Sequence, residues 1–141
     1  GYLTIQKMRY KDKLEFEIDV EPSILNIPLI KLVLQPIIEN AIYHGLKYKE
    51  SKGLLQVKGF MKDGNAVLQV IDNGVGMDEE TLSHIYDKHK VNYHSNGVGV
   101  YNVQKRLKLY YGENYGITYE SEKGVGTTAT IIIPGIQEES I

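Results

Sequence analysis

The sequence contains no cysteine and no tryptophan, with only two phenylalanines and four prolines. Without cysteine there is no disulfide framework, no thiolate metal site and no Cys nucleophile. A dominant charge is missing too: 16 Lys and Arg against 18 Asp and Glu leave a formal charge of −2. A domain that neutralises nucleic-acid phosphates needs a basic excess, so no nucleic-acid partner is expected. No run reaches the roughly 20 apolar residues of a membrane span. What is present is ordinary globular composition, 42% hydrophobic and 24% charged over 141 residues, which suits one domain folded around a core.

Along the chain, Tyr2, Leu3, Ile5 and Met8 fall at a spacing that suits the last turns of a helix, so residues 1–12 read as the end of an upstream helix or a linker. Leu14 to Val20 alternates apolar with acidic, the period of a strand with one buried face. Pro28 suits the first turn of a helix to about His44, with Ile30, Val33, Leu34, Ile37 and Ala41 at helical spacing and Pro36 interrupting it near Leu32. Leu54 to Met61 and Ala66 to Asp72, joined by Lys62-Asp63-Gly64-Asn65, form a hairpin pattern. Asp78-Glu79-Glu80 opens a short helix to about Tyr86, and residues 87–96 lose all periodicity and read as a surface loop. Val98 to Tyr111 is again helical and is stopped by Gly112. Strands Gly116 to Ser121 and Thr127 to Ile133 close the pattern around Lys123-Gly124-Val125-Gly126, before a tail over 137–141.

Four segments carry possible chemistry. On the helix 34–45, Pro36, Asn40 and His44 share a face, and an amide oxygen such as that of Asn40 is a suitable hard ligand for Mg²⁺. Asp72 ends a buried strand just before Asn73-Gly74-Val75-Gly76-Met77; its carboxylate is an acceptor of the kind adenine's amine requires, although Asp-Asn-Gly is also a common turn. Asn96-Gly97-Val98-Gly99 precedes a helix, where backbone N–H groups and the helix dipole suit a polyphosphate, or the glycines form a plain hinge. Neither a complete dinucleotide fingerprint nor a P-loop is present. Finally, Gly124-Val125-Gly126-Thr127-Thr128 is a tight turn entering a β-branched strand, where Thr127 or Thr128 offers a hydroxyl.

The order and spacing of the four segments resemble the asparagine box and three glycine boxes of the Bergerat-fold ATP-binding domain. That domain is shared by histidine kinases, type II topoisomerases, MutL proteins and heat-shock-90 chaperones. Within this superfamily, Leu34 to Gly45, Gly97 to Leu107 and the Tyr110-Tyr111-Gly112 and Tyr115-Gly116 stretch look like the LytS/YesM-type sensor histidine kinases. The resemblance implies an α/β two-layer sandwich, with a mixed, mostly antiparallel sheet and helices on one face. It implies ATP and Mg²⁺ as cofactors, Asn40 holding Mg²⁺, Asp72 binding the adenine amine, and Gly74, Gly76 and Met77 shaping the adenine pocket. Gly97, Val98 and Gly99 then face the phosphates, Thr127 or Thr128 supports the adenine side, and His44 lies near the phosphates. Residues 87–96 match the ATP lid, bringing Lys88, His89, Lys90 and His94 within reach of phosphate.

Three positions depart from the pattern. Tyr43 stands where many histidine kinases carry a Lys, Pro36 stands where hydrolytic relatives carry a water-activating Glu, and Ser95 stands where a longer glycine box begins with Gly. The expected domain covers residues 13–136. None of His44, His84, His89 or His94 lies on a dimerisation helix, so the phosphoacceptor His is expected on an upstream dimerisation domain outside this chain. A response regulator is the implied partner, and the full-length protein is implied to be a membrane-anchored homodimer with this domain in the cytoplasm. A hydrolytic ATPase of the same fold and a nucleotide-free interaction module are the alternatives.

Overall fold

The structure, a computed structural model, describes residues 4–10, 14–27, 30–42, 52–83 and 97–135. Its strands are β1 (Thr4–Tyr10), β2 (Leu14–Val20), β3 (Gly53–Lys62), β4 (Asn65–Asp72), β5 (Gly116–Glu122) and β6 (Gly126–Pro134). They form a six-stranded sheet in the order β1-β2-β3-β4-β6-β5. Only β2 and β3 run parallel, and every other neighbouring pair is antiparallel. A parallel pair needs a crossover connection, and the chain between β2 and β3 contains α1 (Pro22–Leu25) and α2 (Ile30–Asn40).

The helical end expected over residues 1–12 is not what the described part of that stretch forms. Thr4–Tyr10 is a strand, paired with β2 from Thr4↔Val20 to Tyr10↔Leu14. The apolar spacing there fits a helix, but periodicity within a segment cannot register a partner strand that follows it across Lys11-Asp12-Lys13. A domain boundary at residue 13 would therefore cut the sheet. Elsewhere the expected strands form to within a residue or so. The β3–β4 turn has Asp63 and Gly64 both at positive φ, 53° and 81°, as a two-residue hairpin with the right-handed twist of its strands requires.

Side chains on cross-sheet neighbours share a face, so the pairing register sorts the strands into rows. Val20, Gly59, Leu68, Ile131 and Ile117 form one row; Ile18, Val57, Val70, Ala129 and Tyr119 form the next. The third reads Phe16, Leu55, Asp72, Thr127, Ser121, so it turns polar where the first two stay almost wholly apolar. Over this face lie Ile24 of α1, Ile30, Val33 and Ile37 of α2, and Val100, Val103 and Leu107 of α4 (Gly97–Tyr111), all in one buried cluster with the sheet. The opposite face carries Glu15, Glu17, Gln56, Lys58, Gln69, Thr128 and Thr130, none of them buried. Helices on one face of a mixed sheet are the two layers expected.

Two side chains fix α4 to the sheet edge. Gln104 uses its amide as a short strand, donating from Nε2 to the Ile117 carbonyl (3.2 Å) and accepting the Ile117 N–H at Oε1 (2.7 Å). Lys108 Nζ donates to the carbonyls of Glu113 and Tyr115 just past the helix end, where Gly112 adopts φ 110°. The short α3 (Glu79–Ser83) is capped by Asp78, whose Oδ1 accepts the Thr81 N–H at 2.8 Å. That bond holds the exposed Asp78 carboxyl below its usual range.

Leu68 is fully buried in the central strand, whereas Leu109 is 78% exposed. Leu68→Ala is expected to cost about 2–5 kcal/mol, and Leu109→Ala less than about 0.5 kcal/mol. Denaturant unfolding of the two variants checks the difference.

Candidate functional site

Strand β4 delivers Asp72 to the end of the sheet, and the backbone around it is held in place at several points. The next residue, Asn73, closes the pairing by itself: its Oδ1 accepts the Leu54 N–H (2.7 Å) and its N–H donates to the Leu54 carbonyl (3.2 Å). The chain then turns, and the Gly74 N–H donates to Asp72 Oδ1 at 2.9 Å. Asp72 keeps only 5% of its surface exposed. Burial pushes its carboxyl up to about 6, and the N–H groups of Gly74 and Thr127 pull against that rise.

The glycine loop is clamped to the β5–β6 hairpin. Gly76 has φ 71°, and a Cβ there would collide with the Glu122 carbonyl. Across the same seam the Gly124 N–H donates to the Val75 carbonyl (2.7 Å), and the Met77 N–H to Ser121 Oγ (2.8 Å). Gly126, at φ 146°, lies against the Asp72 carbonyl, where any side chain would clash.

Helix α2 supplies the other wall. Its final residue, Asn40, is 4% exposed, and Asn40 Oδ1 has no hydrogen-bond partner among the described residues. A π-type turn follows at Ala41–Ile42, a local widening frequent at functional sites. Among the described residues, Asn40 and Asp72 are the buried polar side chains, and both line one cleft. That cleft is bounded by Ile37 and Ala41 of α2, Val70 of β4, Gly76 and Met77 of the loop, and Tyr119, Thr127 and Ala129 of the last hairpin. Its walls are mainly apolar with a few convergent polar groups.

Of the residues singled out in the sequence, Asn40, Asp72, Gly76, Met77 and Thr127 meet at this cleft. Gly74 holds the Asp72 carboxylate rather than forming a wall. Thr128 does not join them: it pairs with Ile71, on the opposite face of the sheet from Asp72 and Thr127. Gly97, Val98 and Gly99 form the first turn of α4. His44, Lys88, His89, Lys90 and His94 lie outside the described residues. Sequence reasoning missed Tyr119 and Ser121, because only the β5–β6 register places them on the cleft's side of the sheet.

A mixed sheet layered under helices, with a strand-end carboxylate and a helix amide lining one cleft, is the Bergerat arrangement. The chain belongs to the histidine kinase-, DNA gyrase B- and HSP90-like ATPase family, whose pattern matches residues 26–137. It is 32% identical to the sensor histidine kinase YesM of Bacillus subtilis over 133 residues, covering 94% of this chain and 22% of that protein. With the sensor protein LytS of Oceanobacillus iheyensis it is 35% identical over 116 residues, covering 81% of this chain and 20% of that one. The chain thus spans about a fifth of the length of these relatives. Among solved structures, the nucleotide-free catalytic domain of histidine kinase ThkA matches with a TM-score of 0.65 at 18% identity, covering 89% of this chain and 81% of that one. The histidine kinase domain of the blue-light activated kinase from Erythrobacter litoralis matches at 0.60 and 20% identity, covering 88% and 52%. At such identities these two likenesses speak for the fold.

The raised Asp72 carboxyl has a consequence for stability. The folded chain holds this proton more tightly than the unfolded chain does, so stability contributed by Asp72 falls as pH rises from about 4 to about 6. Above that window the buried charge costs on the order of 2–3 kcal/mol. Asp72→Asn keeps an acceptor for Gly74 and should raise the melting temperature of the ligand-free protein at pH 7. The difference from the parent should vanish near pH 4, and thermal unfolding at the two pH values checks it.

Proposed function

We propose that this chain is the ATP-binding catalytic domain of a sensor histidine kinase, which transfers the γ-phosphoryl group of Mg-ATP to a His on an upstream dimerisation domain. The observation that carries the proposal is the coincidence of the two buried polar side chains, Asn40 and Asp72, on one otherwise mainly apolar cleft. The likeness to YesM and LytS over most of the chain supports the kinase branch of the family.

Each end of the nucleotide has a matching group. The Asp72 carboxylate, fixed by the Gly74 N–H, is an acceptor for the adenine amine, and Gly76, packed on the Glu122 carbonyl, lines the same cleft beside which the base would lie. Asn40 Oδ1 is a hard oxygen donor, buried and without a protein partner among the described residues, which fits a Mg²⁺ ligand. When bound, that ion would neutralise charge on the phosphates. Gly97, Val98 and Gly99 open α4 and would offer backbone N–H groups to the phosphates. By resemblance to the family, His44 would lie near the phosphates, and Lys88, His89, Lys90 and His94 of the matching lid segment would come within their reach.

In the transfer, a His nitrogen attacks the γ-phosphorus, the bond to the bridging oxygen of ADP breaks, and ADP leaves with that electron pair. The protein's part is positioning and charge neutralisation rather than covalent chemistry. The nucleophile is the imidazole itself, so no group to activate water is needed. Pro36, a residue with no acid–base function, stands where hydrolytic relatives carry Glu, which suits phosphotransfer better than hydrolysis. A response regulator would take the phosphoryl group onward from a membrane-anchored homodimer whose catalytic domain is cytoplasmic. Among the described residues no helix is long and apolar enough to cross a membrane.

The test is to incubate this domain and the dimerisation segment of the full-length protein with Mg-ATP. Acid-labile phosphate on the segment is expected, and robust ATP hydrolysis without phosphotransfer would overturn the assignment. Asp72→Asn should weaken ATP binding by about 1–3 kcal/mol. Asn40→Ala should abolish the Mg²⁺ dependence of binding in calorimetry, while leaving the adenine contribution in place.

A further inference from the structure

Ser121 is half-buried on β5 and pairs across the hairpin with Thr127, on the sheet face that carries Asp72. Its hydroxyl stands at the centre of three polar contacts. Oγ accepts the Met77 N–H at 2.8 Å, lies 3.1 Å from the Gly126 carbonyl, and lies 2.7 Å from Thr127 Oγ1. A serine hydroxyl has one proton to give and two lone pairs to fill. A carbonyl can only accept, so the Gly126 contact is a hydrogen bond only if Ser121 donates there. The single proton is then used, and the 2.7 Å contact is a hydrogen bond only if Thr127 donates to Ser121. One assignment of protons makes all three contacts hydrogen bonds: Met77 N–H and Thr127 O–H into Ser121 Oγ, and Ser121 O–H into Gly126.

This assignment decides what Thr127 shows to the cleft. With its proton turned toward Ser121, Thr127 Oγ1 offers only lone pairs to the cleft it lines. The Asp72 carboxylate, when ionised, is an acceptor too. The Asp72–Thr127 side of the wall then presents acceptors alone, which welcomes the exocyclic amine of adenine and opposes the O6 carbonyl that guanine carries in the corresponding place.

We propose that Ser121 is a positioning residue that sets nucleotide specificity: by taking the Thr127 hydroxyl proton it keeps the Asp72–Thr127 side of the base-binding wall acceptor-only and so favours adenine over guanine nucleotides. The proposal rests on the reading of this cleft as the adenine site. Removing the Ser121 hydroxyl frees the Thr127 proton to rotate into the cleft, where it can meet a carbonyl. It also leaves the Met77 N–H without its acceptor, but that loss loosens the loop for any purine alike. The ratio of affinities therefore separates the specificity role from a scaffold role.

The experiment is calorimetric titration of the whole chain with Mg-ATP and Mg-GTP for the parent, Ser121→Ala, Ser121→Cys, Ser121→Thr and Asp72→Asn. The preference for ATP should fall about tenfold in Ser121→Ala. It should fall similarly in Ser121→Cys, which keeps the side-chain volume but bonds weakly, and should be retained in Ser121→Thr. Equal losses for both nucleotides in the Ala and Cys variants, with the ratio unchanged, would overturn the proposal and leave Ser121 a scaffold residue. If Asp72→Asn weakens ATP while the Ser121 ratios stay fixed, the adenine site stands and this proposal alone fails. If Asp72→Asn leaves ATP binding unaltered, the reading of the site fails and takes the proposal with it.

Discussion

At the end of β4 a carboxylate sits almost wholly out of water, which is unfavourable for the ionised form unless donors meet it. Two backbone N–H groups do so, from Gly74 and Thr127, and each depends on structure further away. Gly74 arrives because Asn73 stops the strand pairing, using its own side chain as the last rung against Leu54. Thr127 arrives because Gly126 lets the two backbones approach more closely than any side chain would allow. The Val75–Gly124 bond, the tight packing of Gly76 on Glu122 and the Met77–Ser121 bond then lock the glycine loop to the hairpin. The loop is therefore a fixed wall.

The donors satisfy the carboxylate only in part, since burial still outweighs them and leaves its affinity for protons raised. Asn40 shows the same incompleteness: it is buried at the end of α2 with an oxygen that no described residue satisfies. Native structures rarely leave buried polar atoms so. Two such groups on one cleft mean that the ligand-free domain carries a local cost which a ligand of the right polarity relieves. Groups already held in place lose little freedom when that ligand arrives, which favours affinity.

How much of this was legible in the sequence follows from the range over which each feature is determined. The β3–β4 hairpin was readable because its turn is local: Asp63-Gly64 supplies the two positive φ values within the turn itself. The helix ending at Tyr111 was readable from Gly112 for the same reason. Asp72, Gly76 and Asn40 stand out in the sequence by their spacing, and the fold brings all three to one cleft. The features that failed are those set by pairing between segments. Residues 4–10 matched a helical spacing, yet they are held as a strand by β2. Thr127 and Thr128 are equivalent in composition, and one step of register decides which of them faces the cleft. Ser121 was invisible for the same reason, since nothing local to Tyr119-Glu120-Ser121 distinguishes it from any exposed strand serine.

The same register links the core to the cleft. Three rows cross the helix-covered face of the sheet, and the two that read almost wholly apolar bury Leu68, Ile131, Val57 and Val70 beneath α2 and α4. The third continues the same packing for Leu55, then gives way to Asp72, Thr127 and Ser121, of which Asp72 and Thr127 line the cleft. Helix α2 takes part in both regions, with Ile30, Val33 and Ile37 in the core and Asn40 one turn further on at the cleft. Displacing that helix would move the Asn40 oxygen relative to Asp72, so the packing that stabilises the domain also sets the distance between its two polar ends. On the proposed reading, phosphoryl transfer to an external imidazole needs the phosphate presented in line and little covalent help from the enzyme, and a fixed span of this kind would serve that need.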